Sequence, residues 1–217
     1  MGATEELVFW THEQKCLKAV DSLNRNGFGA VYCATPHEAF DCIVREAANA
    51  ASIGFGGSMT IAGLGVEARL REMGKEILNH ASPALSGAER MEVMRRQLTC
   101  DLFLSGTNAL TLSGELVNID ATGNRAAAMF FGPRKVIVVA GRNKLVDGTP
   151  HDAIDRVKNR ATPPNARRLN FKTPCASSGF CCDCNSPDRL CRVTTIIDRQ
   201  PRWTDMRVLV VNADLGF

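Results

Sequence analysis

The stretch RKVIVVAG, residues 134–141, decides the fold of this chain more than any other. Its five consecutive apolar residues do not alternate with polar ones, which is typical of a strand covered on both faces. Such strands lie at the centre of parallel sheets with helices packed on either side. The stretch therefore predicts the central strand of an α/β domain.

Helical and strand patterns alternate on both sides of that strand. Amphipathic spacing predicts helices at residues 4–26, 36–50, 61–74, 89–100, 123–132 and 152–161. Apolar stretches predict further strands at residues 28–35, 52–55, 101–111, 114–122, 193–198 and 206–217. The proline-rich segment 162–174 predicts an end of regular structure. The alternation predicts an α/β fold, with a mainly parallel sheet flanked by helices, in a single domain over residues 1–217.

The composition is that of a globular protein, because 45% of the residues are hydrophobic and can form a sizeable core. The segment MGATEELVFWTHEQK at the start is acidic and shows no basic stretch ahead of an apolar run, so it does not resemble a signal peptide. The apolar runs are too short to span a bilayer. We therefore expect a cytoplasmic protein without membrane association, in a compartment that keeps thiols reduced.

A cluster of cysteines is the sharpest chemical signal. Residues 173–191 read TPCASSGFCCDCNSPDRLC, with the spacing C-x5-C-x2-C-x6-C and Cys182 as an odd thiol inside the run. Four thiolates in one short loop can complete a tetrahedral zinc shell or hold an iron–sulfur cluster, whereas disulfides or unrelated buried thiols are the alternatives. We predict a metal-binding loop over residues 173–192, inserted before the last strands, with zinc and a [4Fe–4S] cluster both open. The predicted ligands are Cys175, Cys181, Cys184 and Cys191.

A glycine-rich turn, GFGGSMT at residues 54–60, lies between a strand and a helix. Glycines let backbone N–H groups approach an anion, and nearby hydroxyl groups add donors. The turn matches neither a Walker loop nor a dinucleotide fingerprint. We predict that Gly56, Gly57, Ser58 and Thr60 bind an anionic ligand. The alternative is a tight strand–helix turn in which Ser58 is the helix N-cap.

A second group of polar residues lies in the run SGELVNIDATGNR. Asn118 and Asp120 share one face of a predicted strand, and Asn124 and Arg125 come at the start of the next helix. We predict that these side chains line a polar pocket, with Glu115 or Asp120 as the general base if there is catalysis. In the alternative, Asp120 and Asn124 are capping and turn residues and Arg125 forms a surface ion pair.

The loops after three apolar strands all carry glycine with polar or cationic residues. The strands end near residues 55, 104 and 140, and Lys144 follows the last of them. Ligands of open α/β sheets bind at the carboxyl ends of the strands. We therefore expect the three loops to line one ligand site, with Lys144 among its binding residues.

Positive charge is concentrated toward the end of the chain. From Arg156 to Arg207 there are eleven basic residues against four acidic ones. A basic surface can bind nucleic acid, but Trp203 is the one tryptophan or tyrosine of this stretch, so stacking platforms are lacking. Nucleic acid is therefore not the expected partner. The charge can instead offset a tetrathiolate metal centre or attract a small anion.

Three segments together resemble the LUD-domain family, the lactate utilisation proteins, which were formerly a domain of unknown function. They are the turn at 54–60, the run from Phe103 to Val146 and the cysteine loop at 173–192. The resemblance extends over about residues 10–210. It implies the α/β fold shared by sugar-phosphate isomerases, glucosamine-phosphate deaminases and CoA-transferases. Members that carry the cysteine loop match at the four predicted metal ligands.

The resemblance also implies a function. Some family members take part in oxidising lactate to pyruvate beside iron–sulfur partner proteins, so the expected substrate is lactate or a similar short hydroxy- or keto-acid. In relatives with CoA-transferase activity a glutamate accepts the acyl group, and Glu115 is the nearest candidate here. The alternatives are an isomerase-like or acyl-CoA transferase-like enzyme, and a non-catalytic accessory subunit of an iron–sulfur oxidoreductase. No flavin or nicotinamide fingerprint is visible, and a homo-oligomer is compatible with each alternative.

Overall fold

The computed structural model describes residues 2–217. Its helices are α1 (Ala3–Arg25), α2 (Pro36–Glu46), α3 (Met59–Leu64), α4 (Val66–Glu72), α5 (Gly87–Gln97), α6 (Asn124–Phe130), α7 (Pro150–Arg156), α8 (Thr162–Arg168) and α9 (Pro174–Ser178). Its strands are β1 (Gly29–Cys33), β2 (Ser52–Phe55), β3 (Glu76–Asn79), β4 (Leu102–Gly106), β5 (Ala109–Thr111), β6 (Leu116–Asp120), β7 (Lys135–Gly141), β8 (Leu145–Val146), β9 (Val193–Ile197) and β10 (Asp205–Val211). A 3₁₀ turn at Arg142–Lys144 follows β7, and a π-helical turn at Val157–Ala161 joins α7 to α8.

Six strands form a parallel sheet in the order β1-β10-β7-β4-β2-β3. β7 lies between β10 and β4, and its side chains point alternately into two cores. Val136 and Val138 enter one core, Ile137 and Val139 enter the other, and all four are 0% exposed. The predicted mainly parallel sheet, with its central strand buried on both faces, is confirmed.

Helices cover both faces of this sheet. Leu23 of α1 and Met129 of α6 pack in the core on one face. Ile43 of α2, Ile61 of α3 and Leu70 of α4 pack in the core on the other. None of the helices in the described part of the chain combines the length and the apolar character that crossing a bilayer requires.

A second sheet of four strands has the order β8-β5-β6-β9. β6 pairs antiparallel with β5 and β9, whereas β5 and β8 are parallel. Ala109 and Val117 of this sheet pack against Ala153 and Val157 of the α7 helix and its π-helical turn. The expected single strand over residues 101–111 is wrong, because its first half joins the main sheet as β4 and its last part joins the second sheet as β5. An apolar run does not reveal a change of sheet.

Further differences from the sequence prediction concern α8, β3 and β8. Regular structure does not end at residue 162, because α8 spans Thr162–Arg168. Pro163 lies in the first turn of that helix, where proline is tolerated. β3 and β8 are absent from the predicted strands, because runs of four and two residues are too short to show a strand period.

Candidate functional site

A cleft opens at the carboxyl ends of β2, β4 and β7. These strands are parallel neighbours, so the loops that follow them meet at one edge of the sheet. The cleft has a volume of about 1400 Å³ including its open mouth. Its lining includes residues of the loops at 56–60, 106–108 and 120–125, together with Lys144. The structure thus brings together the loops that the sequence analysis assigned to one ligand site.

The glycine-rich loop is tightly folded against the rim of the cleft. Gly57 has a φ of +70°, and a Cβ at this position would lie 3.2 Å from Nε2 of His80. Ser58 is the N-cap of α3, where its Oγ accepts a 3.4 Å hydrogen bond from the N–H of Ile61. The capping alternative for Ser58 therefore holds, and its side chain still lines the cleft.

Lys144 is buried in the wall of the cleft, with 4% of the residue exposed. Its Nζ donates a 2.6 Å hydrogen bond to Oγ1 of Thr60, which in turn donates to the carbonyl of Leu215 at 3.1 Å. No carboxylate within the described part of the chain pairs with this amine. Burial, and then the guanidinium groups of Arg156 and Arg125, lower the pKa of Lys144 to about 7.

Gly106, the last residue of β4, makes room for this arrangement. A Cβ at Gly106 would lie 2.6 Å from Oγ of Ser58 and 3.5 Å from Nζ of Lys144. The absent side chain lets the ends of β4 and β7 and the start of α3 approach each other closely. Two hydroxyl groups and the buried amine thereby surround the end of β4.

Asp120 and Arg125 form a buried ion pair, with side chains that are 7% and 13% exposed. Nε of Arg125 donates to Oδ1 of Asp120 at 2.9 Å, and Nη2 donates to the same oxygen and to Oδ1 of Asn108 at 2.6 Å. Oδ2 of Asp120 accepts a 2.8 Å hydrogen bond from the N–H of Ala126 in α6. The pair is therefore not a surface ion pair. Asp120 therefore orients Arg125 and also pairs with a backbone N–H in the first turn of α6. Asn124, the first residue of α6, lines the cleft.

Arg156 lies beside the cleft and is bonded to backbone carbonyls. Its guanidinium donates to the carbonyl of Asn108 at 2.7 Å and to the carbonyl of Asn143 at 2.6 and 3.1 Å. Burial first, and then Arg160, lower the pKa of Arg156 to about 10. No carboxylate in the described part of the chain pairs with it, so this side of the cleft has an excess of positive charge.

The cysteine segment folds around a small cavity of about 350 Å³, including its open side. Its lining includes the four predicted metal ligands Cys175, Cys181, Cys184 and Cys191, together with Cys182. All of the cysteines are free, and Cys182 is the exposed member of the segment. Within residues 2–217, no three His, Cys, Asp or Glu side chains already form a metal-binding group. The four thiols fit a soft metal in donor type, but their sulfur atoms do not form a closed shell.

Arg189 orders the cysteine segment. Its Nε donates to the carbonyl of Cys191 at 2.7 Å, Nη1 donates to the carbonyl of Cys184, and Nη2 donates to Oδ1 of Asp183 at 2.7 Å. The N–H of Asp183 in turn donates to Sγ of Cys181 at 3.3 Å. One guanidinium is thus connected, directly or through Asp183, to three of the four predicted ligands.

The cysteine cavity and the cleft share a wall. Thr162, Leu190 and Cys191 line both of them. Burial raises the pKa of the Cys191 thiol, a hydrogen bond with Thr162 opposes that rise, and the thiols of Cys181 and Cys175 add to it. A group held by the cysteines would therefore stand next to a ligand in the cleft.

A family model described as the LUD domain matches residues 16–211 of the chain. This chain belongs to the LUD-domain family. The crystal structure of a DUF162 family protein from Deinococcus radiodurans is similar, with a TM-score of 0.54, 17% sequence identity, and coverage of 92% of this chain and 98% of that chain. At this identity the likeness shows the fold alone. Comparison with curated proteins gives no match.

Two predicted site residues of this LUD-domain protein lie outside the cleft lining. Glu115 is in the turn between β5 and β6, where its carboxylate accepts hydrogen bonds from Thr111 and, at 2.7 Å, from Ser113. Burial opposes ionisation of Glu115, but those hydrogen bonds hold its pKa below the usual range. Asn118 is buried behind the lining, and its Oδ1 accepts a 3.2 Å hydrogen bond from the N–H of Asn108. This hydrogen bond supports the loop after β4, in which Oδ1 of Asn108 accepts from Arg125.

His80 of the LUD-domain protein lines the cleft, although the sequence analysis did not single it out. It directly follows β3, and without that strand its place at the sheet edge could not be predicted. Nδ1 of His80 lies 3.1 Å from Nε2 of Gln97, which also donates to the carbonyls of Phe55 and Leu78 at 2.9 and 2.8 Å. Burial lowers the pKa of His80. The one sequence signal before it is the apolar pair Ile77 and Leu78.

Proposed function

We propose that this LUD-domain protein binds lactate or a similar short hydroxy- or keto-acid in the cleft, beside a metal centre at its four clustered cysteines. One observation carries the proposal: the cation-lined cleft and the cysteine cavity share the wall formed by Thr162, Leu190 and Cys191. Family membership supports the same class of substrate, since LUD-domain proteins are associated with lactate utilisation.

The charge of the cleft favours a carboxylate ligand. Lys144 and Arg156 have no acidic partner in the described part of the chain, and Asp120 compensates only Arg125. Charges that are shielded from water interact more strongly than exposed ones, so a small anion would offset this excess. The hydroxyl groups of Ser58 and Thr60 would orient the hydroxyl or carbonyl oxygen of the ligand.

The cysteine cavity supports a metal centre through its donor chemistry. Cys175, Cys181, Cys184 and Cys191 would hold it, and Arg189 would keep their backbone in place. Zinc would supply a structural crosslink, whereas a [4Fe–4S] cluster would supply electron transfer next to the cleft. A reducing cytoplasmic compartment would keep the thiols available for either group.

A second candidate function is that of an accessory subunit that docks on an iron–sulfur protein. Phe180 is 63% exposed and Cys182 is also exposed, beside the cysteine cavity, which favours a partner surface close to the metal centre. The acyl-CoA transferase alternative has less support, because no glutamate of the described residues lines the cleft.

Two measurements test the proposed function. Metal and sulfide analysis of protein purified without oxygen should give roughly four iron and four sulfide, or one zinc, per chain. Cys184→Ser should lose the metal and Cys182→Ser, its matched control, should keep it. Calorimetry should detect binding of lactate or pyruvate. The metal half of the proposal fails if the purified protein contains neither metal, and the anion half fails if neither acid binds.

A further inference from the structure

We propose that Lys144 is a covalent binding site, at which its amine forms an imine with the carbonyl carbon of a 2-oxo acid. This inference rests on the proposed anion site and narrows its substrate class to acids with a ketone or aldehyde carbonyl. Lactate itself has no such carbonyl, so it could occupy the cleft without reacting.

The surroundings of Lys144 leave its amine available as a nucleophile. The residue is 4% exposed and its hydrogen bond is to the hydroxyl of Thr60, at 2.6 Å. A lysine paired with a carboxylate stays protonated, whereas one that faces guanidinium groups in a buried site releases its proton readily. Burial, and then Arg156 and Arg125, lower the pKa of Lys144 to about 7, so the neutral amine is well populated near neutral pH.

The end of β4 gives a substrate access to this amine. Lys144, Gly106 and Ser58 all line the cleft, so a ligand in the cleft lies next to the amine. Nζ of Lys144 and Oγ of Ser58 lie 3.5 and 2.6 Å from the position that a Cβ of Gly106 would occupy, so the two groups are close together at the end of β4. A carbonyl carbon that approached the amine from the cleft would therefore have the Ser58 hydroxyl nearby.

The charged groups nearby fit the other end of a 2-oxo acid. Arg125 lines the cleft and is oriented by its bonds to Asp120 and Asn108. Attraction between its guanidinium and the substrate carboxylate would turn the adjacent carbonyl toward Lys144. Two separate groups, one cationic and one nucleophilic, would thus recognise the two functional groups of the acid.

The proposed step is balanced without an oxidant or a reductant. The Lys144 nitrogen forms a bond to the carbonyl carbon, the bond from that carbon to its oxygen breaks, and the oxygen leaves as water with the two amine protons. A C=N bond replaces the C=O bond. Oγ1 of Thr60, 2.6 Å from Nζ, can pass a proton from the nitrogen to the departing oxygen.

Borohydride reduction of the full-length protein mixed with pyruvate tests the step. Hydride converts the imine into a stable secondary amine, so the lysine gains the mass of pyruvic acid less one oxygen atom. Trypsin does not cleave after a modified lysine, so the adduct should appear on the peptide of residues 143–156, whose one lysine is Lys144. The wild-type peptide map answers the question even if a Lys144 variant folds poorly. Lys144→Met should lose the adduct, and Lys18→Met, at an exposed lysine of α1, should keep it.

Calorimetry with lactate and pyruvate, run beside the trapping, separates this inference from the proposed function. If the acids bind but no adduct forms on Lys144, the imine is overturned and the anion site stands. Adducts spread over exposed lysines, with none enriched at Lys144, overturn it equally. If neither acid binds, the proposed anion site is wrong, and the imine proposal, which rests on that site, is wrong as well.

Discussion

Lys144 and Thr60, which are 84 positions apart in the chain, are joined by a 2.6 Å hydrogen bond between the amine and the hydroxyl. The bond ties the turn after β7 to α3, at the edge of the sheet where the cleft opens. Because the amine has no carboxylate partner in the described part of the chain, burial and nearby guanidinium groups set its protonation. The charge of this amine should therefore control ligand binding in the cleft.

We predict that lactate binds more tightly as the pH falls from about 8 to about 6. The pKa of Lys144 is lowered to about 7, so the amine gains its proton in this interval, while the lactate carboxylate keeps its charge. Arg156, with a pKa of about 10, stays charged throughout. His80 also lines the cleft and can gain a proton at low pH, so the variant Lys144→Met separates the contribution of the amine to the pH dependence from that of His80. It should remove most of the pH dependence in calorimetric titrations.

If the imine forms, the reaction of pyruvate should have the opposite pH dependence to the binding of lactate, because attack on the carbonyl requires the neutral amine. Its borohydride-trapped fraction should rise as the pH increases through about 7. Lys18→Met serves as the control for both acids, since it removes one exposed positive charge outside the cleft. A lactate affinity that stays constant across the interval in the wild-type protein would contradict the role of the amine.

Gly106→Ala should lower both stability and lactate affinity. The new Cβ would lie 2.6 Å from Oγ of Ser58, so the serine would have to rotate away and give up its N-cap hydrogen bond in α3. Loss of a cap costs about 1 kcal/mol, and displacement of neighbouring groups adds to it. Urea unfolding and calorimetry measure the two effects.

The matched control is Gly63→Ala, within α3. A Cβ at Gly63 meets no atom within 4 Å, so the substitution should stabilise the protein by up to about 1 kcal/mol through helix propensity. Its lactate affinity should stay at the wild-type value. Equal losses of affinity in the two variants would mean that the effect of Gly106→Ala comes from a general disturbance of α3.

Glu115→Gln should leave lactate affinity unchanged. The carboxylate of Glu115 is bound to Thr111 and Ser113 in the β5–β6 turn, away from the cleft lining. Those hydrogen bonds keep its pKa low, so its contribution to stability is present above the pKa of the unfolded chain and is lost as the pH falls through the lower folded value. Acid titration of the unfolding midpoint should thus be flatter in the variant. A loss of lactate binding in Glu115→Gln would show that Glu115 is a site residue.

The central strand could be predicted from RKVIVVAG because burial on both faces leaves an unbroken apolar run. His80 could not be placed at the site in this way, because β3, the strand before it, has four residues and shows no alternation of apolar and polar side chains. Glu115 shares the run SGELVNIDATGNR with Asp120, but five residues of extended chain separate their Cα atoms by roughly 16 Å. Closeness in sequence therefore suggested one pocket, whereas the strand carries the two carboxylates to its opposite ends. The backbone turns that hold Lys144 depend on contacts between distant segments, which one sequence does not reveal.

Arg189→Met should lower the metal content of the protein although every cysteine is kept. The guanidinium bonds the carbonyls of Cys184 and Cys191 and the carboxylate of Asp183, and each lost hydrogen bond to a charged group costs about 1.5–3 kcal/mol. Without them the loop loses the order that holds three of the predicted ligands near one another. Arg202→Met is the control, because Arg202 stacks over the exposed Trp203, 5.1 Å from the ring centre, rather than on the cysteine segment. Metal and sulfide analysis should show a loss in the first variant only, and full metal content in Arg189→Met would show that the thiols order the loop by themselves.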